Sequence, residues 1–589
     1  EDSFVKICAL RYELKDGYYS YTVMLVNTNE GNGNGRNSVF QPVIKVSTDK
    51  NEELRFCEYS LINQLRDYDE EEKSNSLLYR NKKNYGTGLG TALNWNVDDN
   101  GKGFVESDFF PQVEVPQMEF KVASKYDVCN EAFSMKYLSD LTAESKEIKI
   151  QKLESLLSAY ECWIEELSCQ SEMLPIQYSD TAIKHIENCK YCLGRMRKGI
   201  EVLLNDENAW NSFQLANRAM YMQRIHIGIQ TKFDNVYPDV EPACDDLAEI
   251  LEDLNYYESE DNCMWRPFQI AFLLMCVNAI ANDNIDNSDR NMVDLIWFPT
   301  GGGKTEAYLG LTAFTIFYRK LAHADTSNGT TVIMRYTLRL LAAQQFTRAA
   351  TLICACEYIR QDSEKKRSIY PKYPLGKTPI TIGLWIGGEH TPNKIKGEGS
   401  AKSCYDQLCG VNSKNINNIK ERYNKFQVLK CPWCGTKLVK DLSADGKLLG
   451  KWGYHLPDGK HFFMSCPNSS CAFENKLPLQ VVDEELYKTP PTLLFATVDK
   501  FAMLPWYSEI GNFFAVNSDN RTPELIIQDE LHLISGPLGS MVGIYETVID
   551  YLCEHKGIKP KIIASTATIC RAKEQCSSLY NREVFQFPP

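Results

Sequence analysis

The segment Leu295-Ile-Trp-Phe-Pro-Thr-Gly-Gly-Gly-Lys-Thr305 constrains the fold more than any other part of the chain. It runs from an apolar stretch through three consecutive glycines into the helical pattern Glu306–Tyr318. Strand, glycine loop and helix in that order bring backbone N–H groups and the positive end of a helix to one point, which suits the phosphates of a nucleotide. Thr300, Gly301, Gly302, Gly303, Lys304 and Thr305 are therefore expected to bind ATP, with Lys304 reaching the β/γ-phosphates and Thr305 ligating Mg²⁺. Around this loop, short β-branched runs at Leu295–Phe298, Thr331–Arg335, Thr381–Ile386, Leu493–Thr497, Leu525–Gln528 and Lys561–Ala564 alternate with helical patterns. That order predicts an α/β fold with a parallel, doubly wound sheet.

A second box complements the loop. Leu525-Ile-Ile-Gln-Asp-Glu-Leu-His532 reads as a buried strand whose end presents two carboxylates. Asp529 is expected to hold Mg²⁺ through water, and Glu530 to polarise the attacking water as general base. A purely structural pair of buried acids fits less well, because buried charges without partners are costly.

Composition narrows the partners. At 589 residues with 43% hydrophobic content the chain can bury more than one core. The formal charge of −13 gives no general field for nucleic acid, so any such surface must be local. The apolar stretch Ile270–Ile280 is too short to span a bilayer and contains Asn278, and no basic segment leads into an apolar run at the N-terminus. A cytoplasmic protein with no membrane partner is expected. Twenty-one cysteines, an odd number, point to reduced thiols rather than a disulfide framework. The chain begins at Glu1 without a methionine and ends at Pro589, which reads as a fragment of a longer protein.

Three regions follow from the patterning. Residues 1–122 favour strands and turns, with runs Tyr18–Val26 and Pro42–Val46 around the glycine-rich Gly31–Gly35. Residues 123–262 form a helical domain, since Leu153, Leu156, Leu157, Tyr160, Ile164 and Leu167 recur at helical spacing. Residues 263–589 carry the nucleotide loop. Within them the gap from Ile386 to Leu493 is too long for an ordinary connection and is expected to hold an insertion over 390–485.

Lys430-Cys-Pro-Trp-Cys-Gly435 and Ser465-Cys-Pro-Asn-Ser-Ser-Cys471 supply two cysteine knuckles, with Leu438–Phe463 long enough for a short hairpin between them. Cys431, Cys434, Cys466 and Cys471 are expected to hold a structural Zn²⁺. This ribbon lies outside the phosphate loop in sequence, so its loss is expected to leave ATP binding intact. Cys162, Cys169, Cys189 and Cys192, with His185, read better as buried helix cysteines than as a second metal site, because no turn glycine accompanies them. Lys414, Lys420, Arg422, Lys425 and Lys430 alternate with Tyr423, Phe426 and Trp433. That mixture suits a single strand, with phosphates on the cations and bases on the rings, and suits a solvated helix face equally.

In these residues the chain resembles the superfamily 2 helicases. The loop matches their short form Pro-Thr-Gly-x-Gly-Lys-Thr, with Phe298 where a strict phosphate loop has Gly. Arg266-Pro-Phe-Gln269 resembles the adenine-reading Q motif, Tyr336–Gln345 motif Ia, Ala496-Thr-Val-Asp-Lys500 motif Ib, Asp529-Glu-Leu-His532 the Walker B box and Ser565-Thr-Ala-Thr568 motif III. The resemblance implies a RecA-like lobe with an inserted zinc ribbon. It also implies that Gln269 reads adenine, that His532 serves catalysis beside Asp529 and Glu530, and that Thr337, Arg339 and Thr497 contact nucleic acid. Ser565, Thr566 and Thr568 would then couple the phosphate site to the strand-gripping surface.

Asp529-Glu-Leu-His-Leu-Ile-Ser-Gly-Pro-Leu-Gly539, Asn217-Arg-Ala-Met220 and Phe587-Pro-Pro589 resemble the helicase subunit of the DISARM anti-phage defence system. This implies an ATP-dependent DNA translocase or helicase. Its substrate would be DNA that is single-stranded or has a single-stranded end, and its partner a DISARM subunit carrying a DUF1998-type domain. A general helicase of repair or RNA metabolism and a nucleotide-gated DNA-binding scaffold that does not unwind are the alternatives. Members of the superfamily close two such lobes on one nucleotide, and the tail Ile569–Pro589 is too short for a second, so this stretch alone is expected to be inactive.

Overall fold

The computed structural model describes residues 4–14, 17–29, 38–48, 53–58, 69–110, 112, 119–142, 144–236, 263–298, 301–365, 373–409, 424–439, 452–566 and 571–589. The chain divides into two compact units, residues 1–119 with 176–181, and residues 120–175 with 182–589.

The first unit is built from antiparallel strands, as its β-branched and aromatic runs require. β1 (Val5–Glu13) pairs with β2 (Tyr19–Asn27) from Glu13 opposite Tyr19 to Val5 opposite Asn27. β3 (Lys45–Ser47), β4 (Ala92–Val97) and β5 (Gly103–Asp108) form a second sheet with β5 in the middle. Between them lies α1 (Glu70–Leu78), whose N-terminus is closed by a capping box: Glu72 N donates to Asp69 Oδ1 at 2.9 Å and Asp69 N to Glu72 Oε2 at 3.2 Å.

The second unit begins with α2 (Met135–Ser139), α3 (Lys146–Ser171), α4 (Ile176–Asn205), whose first six residues group with the first unit, and α5 (Glu207–Val236). α6 (Pro267–Ala281) follows, with proline in its first turn, where no N–H is needed. It is apolar nearly all round and accordingly buried from Phe272 to Val277. α4 passes so close to α6 that a Cβ added at Gly199 would stand 1.9 Å from the carbonyl oxygen of Leu274.

Strands and helices then alternate: α7 (Ser288–Asn291), β6 (Val293–Trp297), α8 (Lys304–Ala322), β7 (Val332–Tyr336), α9 (Arg339–Ser363), β8 (Ile382–Trp385), α10 (Ala401–Cys409) and the small hairpin β9 (Tyr454–His455) with β10 (Phe463–Met464). β11 (Leu479–Gln480), α11 (Asp483–Lys488), β12 (Leu493–Thr497), β13 (Leu525–Gln528), α12 (Gly536–Glu554), β14 (Lys561–Thr566), α13 (Ala572–Tyr580) and β15 (Val584–Phe587) complete the unit.

Eight strands form one all-parallel sheet in the order β11-β8-β12-β7-β13-β14-β6-β15. Successive side chains of a strand point to opposite faces, so each central strand feeds two cores. Ile296, Met334, Phe495, Ile527 and Ile563 join α5, α6, α8 and α9 on one face. Leu295, Ile333, Leu494, Ile526 and Ile562 join α12 and α13 on the other. The long helices before residue 263 and the sheet thus share a core. A buried ion pair fixes their relation: Arg195 on α4 grips Asp294 of β6 with both terminal nitrogens, at 2.6 and 2.8 Å, and Lys561 of β14 reaches the same carboxylate at 2.8 Å. β6 feeds the glycine loop, so this pair anchors the strand that leads into it.

Candidate nucleotide site and metal centre

Gly301 and Gly303 hold the loop in the left-handed region, at φ +83° and +89°, and Gly303 caps α8. Gly303 has a second reason to be glycine, because a Cβ there would stand 2.8 Å from Gln269 Nε2 and 3.1 Å from Arg266 Nη1. Those two side chains hold the loop from outside. Gln269 donates from Nε2 to the Gly303 carbonyl at 2.8 Å, its Oε1 accepts from the backbone N–H of Arg266 at 2.8 Å, and Arg266 Nη1 donates to the Gly302 carbonyl. Both ends of the Gln269 carboxamide therefore engage the chain's own backbone.

Lys304 is 8% exposed and donates to the Phe298 carbonyl at 3.1 Å. Burial pulls its ammonium below the usual lysine range, against the opposing pull of Glu530 and Asp529. Across from it, Asp529 accepts from Tyr308 OH at 2.9 Å, from Ser565 Oγ at 2.7 Å and from the backbone N–H of Glu530 at 3.0 Å. Tyr308 also lies 3.2 Å from Thr305 Oγ1, so a single hydroxyl links the loop to the acidic box. Glu530 sits at φ +49°, an uncommon conformation for a non-glycine residue, and its Oε2 lies 3.4 Å from His532 Nδ1. Thr566 Oγ1 lies 3.3 Å from the same nitrogen. A cavity of about 350 Å³ opens among Gly303, Lys304, Thr305, Asp529 and Glu530 and extends to Arg224, Arg266 and Arg348. A lysine, a hydroxyl and two carboxylates around one cavity suit a polyphosphate with its metal ion. Thr305 and Asp529 are the residues fit to hold Mg²⁺.

The four cysteines converge as well. The sulfurs of Cys431, Cys434, Cys466 and Cys471 lie within 4.8 Å of one another and all four residues are buried. Cys434 Sγ is 3.3 Å from Cys466 Sγ, beyond a disulfide bond, and Gly435 turns the first knuckle at φ +80°. Four soft, buried sulfur donors fit a tetrahedral Zn²⁺. Among the described residues no other group of this kind is found. Cys189 and Cys192 are buried in α4 as expected, but Cys162 and Cys169 are exposed on α3, which corrects the expectation of four buried cysteines.

No family model matches the chain. The DISARM protein DrmA of Bacillus paralicheniformis is 32% identical over 619 residues, covering 96% of this chain and 50% of DrmA. This chain resembles DrmA. It spans about half the length of that curated relative. Among solved structures, the DUF1998 helicase MrfA bound to DNA overlaps 55% of the chain and 27% of MrfA at 12% identity, with a TM-score of 0.28. MrfA bound to DNA and AMPPNP overlaps 57% and 28%, again at 12% identity, with a TM-score of 0.29. Overlap that weak assigns no residue.

The remaining residues expected from the helicase-like motifs and the basic–aromatic segment are placed unevenly. Thr300, Thr568, Lys414, Lys420, Arg422 and Tyr423 lie outside the described residues, as does the side chain of Arg339, which opens α9. Thr337 and Thr497 stand after β7 and at the end of β12, adjacent strands, each with a buried hydroxyl that has no hydrogen-bond partner. Lys425 donates to the Gly388 carbonyl at 2.8 Å. Two expectations are corrected: Phe426 and Trp433, read as rings for stacking bases, are 0% and 7% exposed and belong to the core around the cysteines. Tyr308, Arg224 and Arg348 were missed. A tyrosine three residues after Thr305, on the same helical face, was the available signal for the first. No described helix is long and apolar enough to cross a membrane.

Proposed function

We propose that the chain is the ATP-binding part of a DNA translocase or helicase of DISARM-type antiviral defence. The observation that carries this reading is the hydrogen-bonded line Thr305–Tyr308–Asp529–Ser565, which joins the glycine loop, the acidic box and the end of β14 in one site. Residues 263–589 form the nucleotide lobe, with 390–485 as a zinc-bearing insertion, after a β-rich module at 1–122 and a helical domain at 123–262. Similarity to DrmA supports the defence assignment. In the same reading DNA and a DUF1998-bearing DISARM subunit are the partners.

Thr300 to Thr305 receive the phosphates of ATP, and Lys304 exchanges the Phe298 carbonyl for β/γ-phosphate oxygens. Gln269, already fastened to the loop, offers its remaining N–H to the adenine. Thr305 and, through water, Asp529 would hold Mg²⁺, which would supply charge neutralisation on the phosphates. Glu530 accepts the proton of the attacking water as its oxygen bonds to the γ-phosphorus and the bond to ADP breaks. His532 holds Glu530 in place. Ser565 through Asp529, and Thr566 through His532, carry the state of the site to β14, with Thr568 beyond them. Thr337 and Arg339, with Lys420 and Lys425, contact DNA, whereas Thr497 is 0% exposed at the end of β12 and is withdrawn as a contact.

Nucleotide affinity and steady-state ATPase of the full-length protein, with and without single-stranded DNA, test the reading. Lys304→Ala lowers affinity and turnover together. Glu530→Gln keeps affinity and lowers turnover by about a hundredfold or more. Near-normal hydrolysis by Glu530→Gln sinks the base assignment, and hydrolysis indifferent to DNA sinks the translocase.

A further inference from the structure

The metal knuckle is fastened to the two helices that also border the nucleotide cavity. From α5, Gln230 Nε2 donates to the Pro432 carbonyl at 2.7 Å, and His226 Nδ1–H donates to the Trp433 carbonyl at 2.6 Å. From α9, Thr351 Oγ1 lies 3.0 Å from the same Pro432 carbonyl and 3.0 Å from the Thr347 carbonyl one turn earlier, so its one O–H is shared between knuckle and helix. The Trp433 ring stacks on His226 of α5 at 3.6 Å between centroids and on Tyr358 of α9 at 5.3 Å. Pro432 and Trp433 are the two residues between the metal-ligand candidates Cys431 and Cys434.

Two and three residues earlier, the same two helices present cations to the phosphate helix. Arg224, two residues before His226, places Nη1 3.9 Å from Glu306 Oε1. Arg348, three residues before Thr351, makes an ion pair with that same oxygen. Glu306 is buried in the first turn of α8, two residues after Lys304. Gln223 Nε2 donates to the Arg348 carbonyl at 3.5 Å, linking the two helices between knuckle and cavity.

We infer that the zinc knuckle braces the nucleotide pocket, with Gln230, His226 and Thr351 as positioning residues that set where α5 and α9 hold Arg224 and Arg348 against Glu306. This rests on the ATP and zinc assignments above and reverses the sequence expectation that the ribbon is independent of nucleotide. A tetrahedral metal fixes the Cys431–Cys434 loop and so the direction of its two carbonyls. Without it, the carbonyls that accept from buried His226 and partly buried Gln230 are no longer fixed, Thr351 falls back on the Thr347 carbonyl, and the helices are free to shift. A shift well under a helix diameter suffices, because the arginines meet Glu306 over single contacts.

The test measures affinity for a fluorescent ATP analogue and zinc per chain in the full-length protein. Thr351→Val removes one hydroxyl at nearly constant volume. It is expected to weaken the analogue by about fivefold, the effect of one net hydrogen bond, with one zinc still bound. Thr351→Ser restores the hydroxyl and the affinity. Stripping zinc with a chelator weakens the analogue at least as much, and adding zinc back restores it. Wild-type affinity in both Thr351→Val and the stripped protein overturns the brace. Wild-type protein that binds no analogue, or purifies without zinc, instead fails the assignment on which the brace rests, and the two failures are read separately.

Discussion

Asp529 shows how much of the site depends on one side chain's donors. It is buried, and three elements direct hydrogen bonds to it: Tyr308 of α8, Ser565 of β14 and the backbone of Glu530. Removing only the hydroxyl in Tyr308→Phe leaves Oδ2 without that donor at a buried position. The expected loss of stability is about 1–3 kcal/mol, read from the urea midpoint at constant slope. An unchanged midpoint would mean that water replaces the hydroxyl freely. The acidic pair itself was legible in sequence, because two adjacent carboxylates closing an apolar strand call for a cation such as Mg²⁺ beside them. Tyr308 was not, since its partner lies 221 residues away and a tyrosine on an apolar helix looks like core. Trp433 failed in the opposite direction. Lysines alternating with aromatic rings describe a strand-binding face and a metal knuckle packed between helices equally well, and only the burial of the ring separates them.

At the scale of elements, the start of β13 is held by charge. Glu524 is fully buried; burial alone would push its carboxyl up, but Arg290 at 2.5 Å and Arg521 at 2.6 Å outweigh that and hold it at about 2, against an ordinary 4.5. A carboxyl whose folded value lies below its unfolded one contributes stability above about pH 4.5, lost as pH falls towards 2. Arg290→Met removes the shorter contact and the bonds that Arg290 makes to the carbonyls of Ala279 and Ile280. A loss of about 3–5 kcal/mol is expected, with acid unfolding, followed by circular dichroism, beginning at higher pH. An acid midpoint equal to wild type would show that Arg521 suffices. The six inner strands were legible because strands buried on both faces are apolar throughout. The edge strands were not: β11 is two residues long and emerges from the insertion, and Val-Phe-Gln-Phe of β15 alternates too briefly to stand out.

For the molecule as a whole, charge decides how DNA would be held. A net charge of −13 repels phosphate at long range, so attraction must come from a few cations acting within a Debye length of about 8–10 Å. With Phe426 and Trp433 in the core, the Lys414–Lys430 segment has lost two of the rings expected to stack on bases. Binding there would rest on phosphates and be indifferent to sequence. If Lys420 and Lys425 each hold one phosphate of a single strand, Lys420→Glu with Lys425→Glu lowers the slope of log affinity against log salt by roughly 0.7 per contact. It also weakens different sequences equally. The check is a salt titration of fluorescent single strands against the full-length protein. Lys425 already donates to the Gly388 carbonyl, which holds its ammonium in place and leaves two N–H groups for a phosphate. An unchanged slope in the double variant would leave this segment a solvated face and move the search for the strand to the ends of β7 and β12. There Thr337 is partly exposed just after β7, whereas Thr497 is buried at the end of β12.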